Sequence, residues 1–367
     1  MKIIILSDAN SVHTRRWSEA LSKQNINVIV FTLFKLKNEH KNFYFENSID
    51  VVSADIQKYG MDIYKPLFSK ITYLIALKKL NKLIYEFAPD LIHAHYASSY
   101  GILAMLSRFN PYYISIWGDD IVLRKNNFLL KKLLKLTFRN AERIFSTSEL
   151  IYDELKSNFN FKSTIIPYGV DTNIFKPSLK SNNSLIKIGI IKSLEPYNGI
   201  ENLINAFNIL VKKKIYNIKL IIIGDGSNKN AIKLLINKLD LNDFVTMKSH
   251  INHNKIVPYF NDLSVFVCPS IRESFGVAVL EASSCAIPVI ANAINGLNEV
   301  VKHQKTGFLI DTSNPQEFSL CVEKLIIDKE LRYKMGINGR KLIKEKYEWS
   351  SCVNALLKYY NDDIHVS

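Results

Sequence analysis

Two glutamates, Glu273 and Glu281, stand with seven residues between them in RESFGVAVLEASSCAIPVI (272–290), and that interval is almost wholly apolar. Carboxylates accept hydrogen bonds from hydroxyl groups, and each such charge-assisted bond is worth ~1.5–3 kcal/mol. A helix that begins near Gly276 would carry Glu281 on its second turn. Its N-terminus would offer unpaired N–H groups and a partial positive charge, a ready seat for a phosphate. Phe275 and Gly276 supply those amides, and a glycine lets a ligand come close to the backbone. Glu281 could then accept from the hydroxyls of a ribose, and Glu273, ahead of the helix, from a second hydroxyl-bearing group. A diphosphate over amides, with hydroxyls on either side, describes a nucleotide-sugar.

The surrounding elements must place these groups. Short β-branched runs alternate with helix-period stretches. KIIIL (2–6), NVIVFT (27–32), DLIHAH (90–95), YYISIW (112–117), RIFSTS (143–148) and STIIP (163–167) read as buried parallel strands. After the polar KPSLKSNNS (176–184) the rhythm restarts with LIKIGII (185–191), KLIIIG (219–224), FVTMKS (244–249), SVFVCPS (264–270), IPVIAN (287–292) and GFLID (307–311). The expected fold class is α/β, with two Rossmann-like, doubly wound domains facing a cleft. The expected boundaries are 1–175 for an acceptor-binding domain, 176–184 for a linker and 185–345 for a nucleotide-sugar-binding domain. Residues 346–367 are expected to form a helix that crosses back to the first domain. The loop carrying Glu273 would follow the strand ending near Cys268, at the carboxyl edge where such sheets bind ligands.

The 367 residues suit two domains rather than one core, and 47% hydrophobic with 22% charged residues is a globular composition. A net charge of +14 suggests an anionic partner. Nucleic acid is not expected: no recognised module is present, and the basic cluster lacks interleaved aromatics. Cys268, Cys285, Cys321 and Cys352 include no CxxC pair and read as reduced residues of a cytosolic protein. MKIIILSDAN is too short in apolar residues for a signal peptide, and no run is long enough to span a membrane.

The stretch 272–290 resembles the E-x7-E motif of the family-4 glycosyltransferases, retaining enzymes of the GT-B fold. IPYGVDTNIFKP (166–177), GIIKSLEPYNGIENLINAF (189–207), IIIGDGS (221–227), VPYFNDLSVFVCPS (257–270), PVIANAINGLNEVV (288–301) and TGFLI (306–310) follow in that family's order. SDANSVHTRRW (7–17) and IHAHYASSYGILA (92–104) resemble a subgroup common in bacterial surface-polysaccharide synthesis. The resemblance implies transfer of a sugar from a UDP- or GDP-sugar, with retention, to a glycan or lipid-linked acceptor in capsule, O-antigen or exopolysaccharide synthesis. It implies no resident cofactor and no metal. It also implies that Glu273 meets the donor sugar, Glu281 the ribose, and Phe275 and Gly276, with Ser274, the sugar or phosphate. Gly296 and Glu299 would pack beneath. A same-fold epimerase or phosphorylase, or a non-catalytic scaffold, is the alternative.

The chain departs from the family where an Arg and a Lys usually hold the diphosphate: Ser193 and Asn198 occupy those places. Lys192 is the expected substitute, with Arg272 in reserve, because a departing diphosphate needs its charge stabilised. Trp117 stands where many members have a histidine. His13, in the loop after the first strand, could take over part of that role near the acceptor. Asp119-Asp120 has the wrong spacing for a metal-binding DxD. His93 and His95 share one face of a strand; His93 is expected in the core and His95 at the cleft. Finally, 124–139 carries six basic residues and no acid, with Lys131, Lys135 and Arg139 recurring every four positions. That face could hold the protein reversibly at an anionic membrane. The expected location is therefore cytoplasmic and peripheral on the inner face of the membrane.

Overall fold

The computed structural model describes residues 1–56, 69–118, 121, 128–178 and 185–364. Residues 179–184 of the expected linker, Asp119-Asp120 and the start of the basic stretch lie outside the described residues. The chain divides into two compact units: Met1–Pro167 together with the chain from Val353 onward, and Tyr168–Cys352.

In the first unit, β1 (Lys2–Leu6), β2 (Asn27–Thr32), β3 (Asp50–Ser53), β4 (Leu91–His95), β5 (Tyr112–Ile116), β6 (Arg143–Ser146) and β7 (Thr164–Ile165) pair in parallel in the order β3-β2-β1-β4-β5-β6-β7. Ile3, Ile4, Ile5 and Leu6 of β1 are all at 0% exposure. A central parallel strand is covered on both faces by helices, so it reads as an unbroken apolar run. β3 was not expected. Its four residues, DVVS, are only half buried at the sheet edge, and two valines are too few to carry a periodic signal.

In the second unit, β8 (Ile186–Ile191), β9 (Ile218–Ile223), β10 (Val245–Lys248), β11 (Val265–Cys268), β12 (Val289–Asn292) and β13 (Gly307–Ile310) pair in parallel in the order β10-β9-β8-β11-β12-β13. β8 starts the sheet, β9 and β10 extend it to one side, and β11 to β13 extend it to the other. The neighbours β8 and β11 therefore mark the reversal of strand order, where the loops after adjacent strands diverge and leave a crevice. In the first unit β1 and β4 hold the same position.

The unit boundary falls earlier than the polar stretch had suggested. Residues 168–178 pack on the second unit instead of closing the first. Arg340 donates through Nη1 to Phe175 O at 3.0 Å and through Nη2 to Thr172 O at 3.1 Å. Val170 N donates to Tyr347 O at 2.9 Å. These are long-range pairings to a C-terminal helix, and local sequence carries no sign of them.

The last described helix, Trp349–Ile364, begins in the second unit and continues in the first. Its end is fastened by Asp363, which takes a bidentate pair from Arg143 Nε and Nη2, both at 2.6 Å. Tyr113 OH donates to Asp363 as well. Tyr360 is fully buried beside them and meets His93 Nδ1 at 2.5 Å.

Candidate functional site

The helix that follows β11 runs Val277–Ser284, with Gly276 as its N-terminal cap. Gly276 has φ +87°, a left-handed conformation that suits glycine, and it leaves the first amides of the helix without a side-chain cap. Phe275 is buried, its ring 6.0 Å from that of Tyr168 and 5.7 Å from that of Tyr347. The aromatic side chain thus anchors the loop, and the adjoining backbone forms the helix entry. Gly296 closes the floor: a Cβ there would lie 2.0 Å from Glu273 O.

Glu273 leaves this loop to form an ion pair with Lys192, the first residue after β8. The two groups come from the two loops that part at the β8/β11 reversal, and both are largely buried. Burial pulls the Lys192 ammonium down, but the negative charge that the Cys268 sulfur would carry when ionised and the Glu273 carboxylate beside it more than offset this, so its pKa is raised. Cys268 is pushed up by its own burial. Lys192 therefore stays cationic, and its charge is fixed in the crevice rather than spread into water.

Ser193 and Asn198 do different work. Ser193 is exposed at the loop. Asn198 is at 0% exposure, donating through Nδ2 to Ser193 O at 2.8 Å and Ser193 Oγ at 3.0 Å. Its Oδ1 accepts from Ser270 Oγ at 3.3 Å, and Ser270 O accepts from Asn292 Nδ2 at 3.0 Å. Asn198, which stands where a diphosphate-holding residue was expected, is instead a buried clamp between the loops after β8 and β11, and Ser270 carries the connection on to Asn292 at the end of β12. Arg272 is exposed and lies over the Tyr197 ring, 4.9 Å from its centroid. Ser274 is half-buried between Glu273 and Phe275.

Glu281 is buried at 6% exposure on the helix. Its Oε1 accepts from His253 Nε2 at 2.6 Å. His253 is not among the residues expected from the sequence. No motif or period marks that histidine, and only the fold brings residues 253 and 281 together.

The remaining candidates lie in the first unit. His95 is buried rather than open, at 3% exposure: Nδ1 meets Ser7 Oγ at 3.2 Å, and its ring lies 4.5 Å from that of Trp117. Burial, with the neighbouring His93 and His13, holds its pKa well below the ordinary value. His93 is in the core, between Tyr360 and Ser115, with Nε2 2.8 Å from Ser115 Oγ. Burial lowers its pKa to about 3. His13, at the start of the helix Val12–Ser22, meets Trp117 edge-on at 5.7 Å. Among the described residues no group of three His, Cys, Asp or Glu side chains is arranged to hold a metal ion.

The basic helix spans Phe128–Asn140. Lys131 does not share the exposed face. It is half-buried, with Nζ 5.7 Å from the Phe159 ring. Lys132, Lys135 and Arg139 are exposed, alongside Phe128 (68%), Leu129 (77%) and Leu136 (46%). Leu134, Thr137 and Phe138 fill the opposite, buried face. The four-residue spacing drifts around a helix of 3.6 residues per turn, which is why Lys132 replaces Lys131 on the solvent side. Among the described residues, no helix is long and apolar enough to cross a membrane.

Two family descriptions match the chain: "Glycosyl transferase 4-like" over residues 2–148 and "Glycosyl transferases group 1" over residues 171–342. An uncharacterized glycosyltransferase of Methanocaldococcus jannaschii, MJ1178, is 27% identical over 96% of this chain and 94% of its own. The capsular polysaccharide biosynthesis glycosyltransferase CapM of Staphylococcus aureus is 30% identical over 64% of this chain and 65% of its own. Among solved structures, sucrose-phosphate synthase of Thermosynechococcus elongatus superposes with a TM-score of 0.85 over 100% of both chains at 20% identity. Anabaena HepE in complex with UDP-glucose superposes with a TM-score of 0.80 at 18% identity, over 99% of this chain and 100% of that one.

Proposed function

The chain belongs to the group 1 glycosyltransferases of family 4, with the GT-B fold, and from that premise we propose that it moves a sugar, with retention, from a nucleoside-diphosphate sugar to a glycan or lipid-linked acceptor. The observation that carries this reading is the meeting of Lys192 and Glu273 at the β8/β11 reversal, beside the N-terminus of the helix that carries Glu281. A cation, a helix N-terminus and two carboxylates are the groups needed by a diphosphate flanked by two sets of hydroxyls.

In this reading the diphosphate lies against the amides of Gly276 and the residues after it. Lys192 exchanges its pairing with Glu273 for the developing charge of the leaving phosphate, and Glu273 turns to the sugar hydroxyls. The acceptor hydroxyl attacks from the face the diphosphate leaves. The departing phosphate oxygen takes the acceptor's proton, so no side chain has to act as base. The protein contributes positioning and charge stabilisation. No resident cofactor or metal is needed, because Lys192 and the helix amides supply the positive charge.

UDP is the first donor base to try, since HepE has been solved with UDP-glucose; GDP is the second. The relative CapM supports a place in surface-polysaccharide synthesis. The exposed Phe128, Leu129, Lys132, Lys135, Leu136 and Arg139 support reversible binding to an anionic cytoplasmic leaflet, where lipid-linked acceptors reside.

The test is calorimetry of the full chain with UDP, GDP, ADP and NAD, alongside Glu281→Ala. The expected result is binding of one nucleoside diphosphate that the substitution weakens at least about tenfold. Failure of all four ligands to bind would remove this donor-site assignment.

A further inference from the structure

The Glu281 carboxylate is buried, and a buried charge persists only where it is hydrogen-bonded or paired. Among the described residues its hydrogen bond is the one from His253, at 2.6 Å. A carboxylate can only accept, so His253 carries a proton on Nε2 and donates it to Oε1.

The histidine is held from behind. Its ring lies 5.4 Å from that of Phe175. Phe175 is itself pinned: its carbonyl accepts from Ser284 Oγ at 2.5 Å and from Arg340 Nη1 at 3.0 Å, and its ring lies 6.0 Å from that of Phe260. Ser284 is on the same helix as Glu281, one turn further on. The segment that backs His253 is therefore tied to the helix that carries its partner. The imidazole is 37% exposed on its other side, so the pair sits at the boundary between core and solvent.

With Oε1 occupied, the plane of the carboxylate is set, and Oε2 is the oxygen left for a ligand. We propose that His253 is a positioning residue: it orients Glu281 so that Oε2 receives the ribose hydroxyls of the donor nucleotide, and recognition of ribose over deoxyribose depends on it. The inference rests on the reading of Glu281 given above and extends it to a residue that touches the ribose only through another.

The experiment is calorimetric titration of the full chain with the nucleoside diphosphate that binds best among UDP, GDP and ADP, and with its 2′-deoxy counterpart. His253→Phe should weaken the ribonucleotide about five- to tenfold and leave the deoxynucleotide within about twofold. His253→Gln, whose terminal amide can still donate to Glu281, should restore most of the discrimination. Equal weakening of both nucleotides would mean a merely structural histidine and would overturn the proposal. So would unchanged affinities, or tighter ribonucleotide binding in His253→Phe, which would make the histidine a competitor of the ribose. If Glu281→Ala leaves ribose discrimination intact, the assignment of Glu281 fails first. If the assignment holds and only the His253 arms disagree, the inference fails alone.

Discussion

Lys192 and Glu273 are paired across the point where the strand order of the second sheet reverses, one from the loop after β8 and the other from the loop after β11. Each neutralises the other in that crevice. Ser193 and the clamp Asn198 stand where the family usually has an Arg and a Lys, and the proposed function assigns their work to the ammonium of Lys192.

Lys192→Ala should therefore lower turnover on a nucleotide-sugar by about 10²–10³-fold, the usual loss when one preorganised charge-stabilising group is removed. Lys192→Arg should retain part of the rate. Steady-state kinetics of donor consumption would test this, and a Lys192→Ala enzyme with wild-type kcat would contradict it.

Glu273 and Glu281 should separate kinetically. Glu273→Gln should lower kcat with nucleoside-diphosphate affinity nearly unchanged, because its expected partner is the sugar. Glu281→Ala should raise the dissociation constant at least about tenfold through the ribose. Identical patterns in the two variants would contradict the division of labour.

Gly296→Ala should damage the site without touching a ligand. The added Cβ would sit 2.0 Å from Glu273 O, a backbone atom with no free rotation to escape. Overpacking of this kind costs about 1–3 kcal/mol. A lower Tm together with loss of turnover is expected, and wild-type values of both would show that the loop has room.

Stability of the first unit should fall in acid. Burial lowers the folded pKa of His93 to about 3, while the unfolded value is ~6.5. The unfolded chain therefore takes up the proton first. Stability declines as pH drops below ~6.5 and keeps declining until about 3, by ~1.4 kcal/mol per pH unit for one proton. Asp363, held below the ordinary carboxylate range by its hydrogen bond to Arg143, keeps its contribution through most of that descent and loses it only as pH falls below the ordinary carboxylate range. His93→Gln should flatten denaturant-midpoint profiles recorded between about pH 4 and 6; parallel profiles would rule out the histidine as a source of the slope.

The exposed basic face should respond to charge reversal. Lys132→Glu, Lys135→Glu and Arg139→Glu combined should release the protein from vesicles containing phosphatidylglycerol, since each cation near an anionic surface contributes ~1 kcal/mol. Binding to neutral vesicles should be weak for both proteins. Co-sedimentation that is indifferent to the three substitutions would remove this face from consideration.

What the chain determines by itself is what depends on near neighbours. The central strands follow from unbroken β-branched runs. The entry of the helix Val277–Ser284 follows from Gly276, and the two glutamates follow from their fixed spacing on that loop and helix. A position in sequence does not say what a side chain finds across the fold. Asn198 sits where ligand-binding residues are expected, yet its amide ties the loop after β8 to the loop after β11 in the core. His95 lies at a strand end, yet Ser7 and Trp117 enclose it. Lys131 has the spacing of an exposed cation but packs over Phe159. His253 has no local signature and becomes the partner of Glu281 only when β10 and β11 are laid in one sheet. Pairings between distant segments are decided by burial and by the need to satisfy buried polar groups, and those conditions exist only in the folded chain.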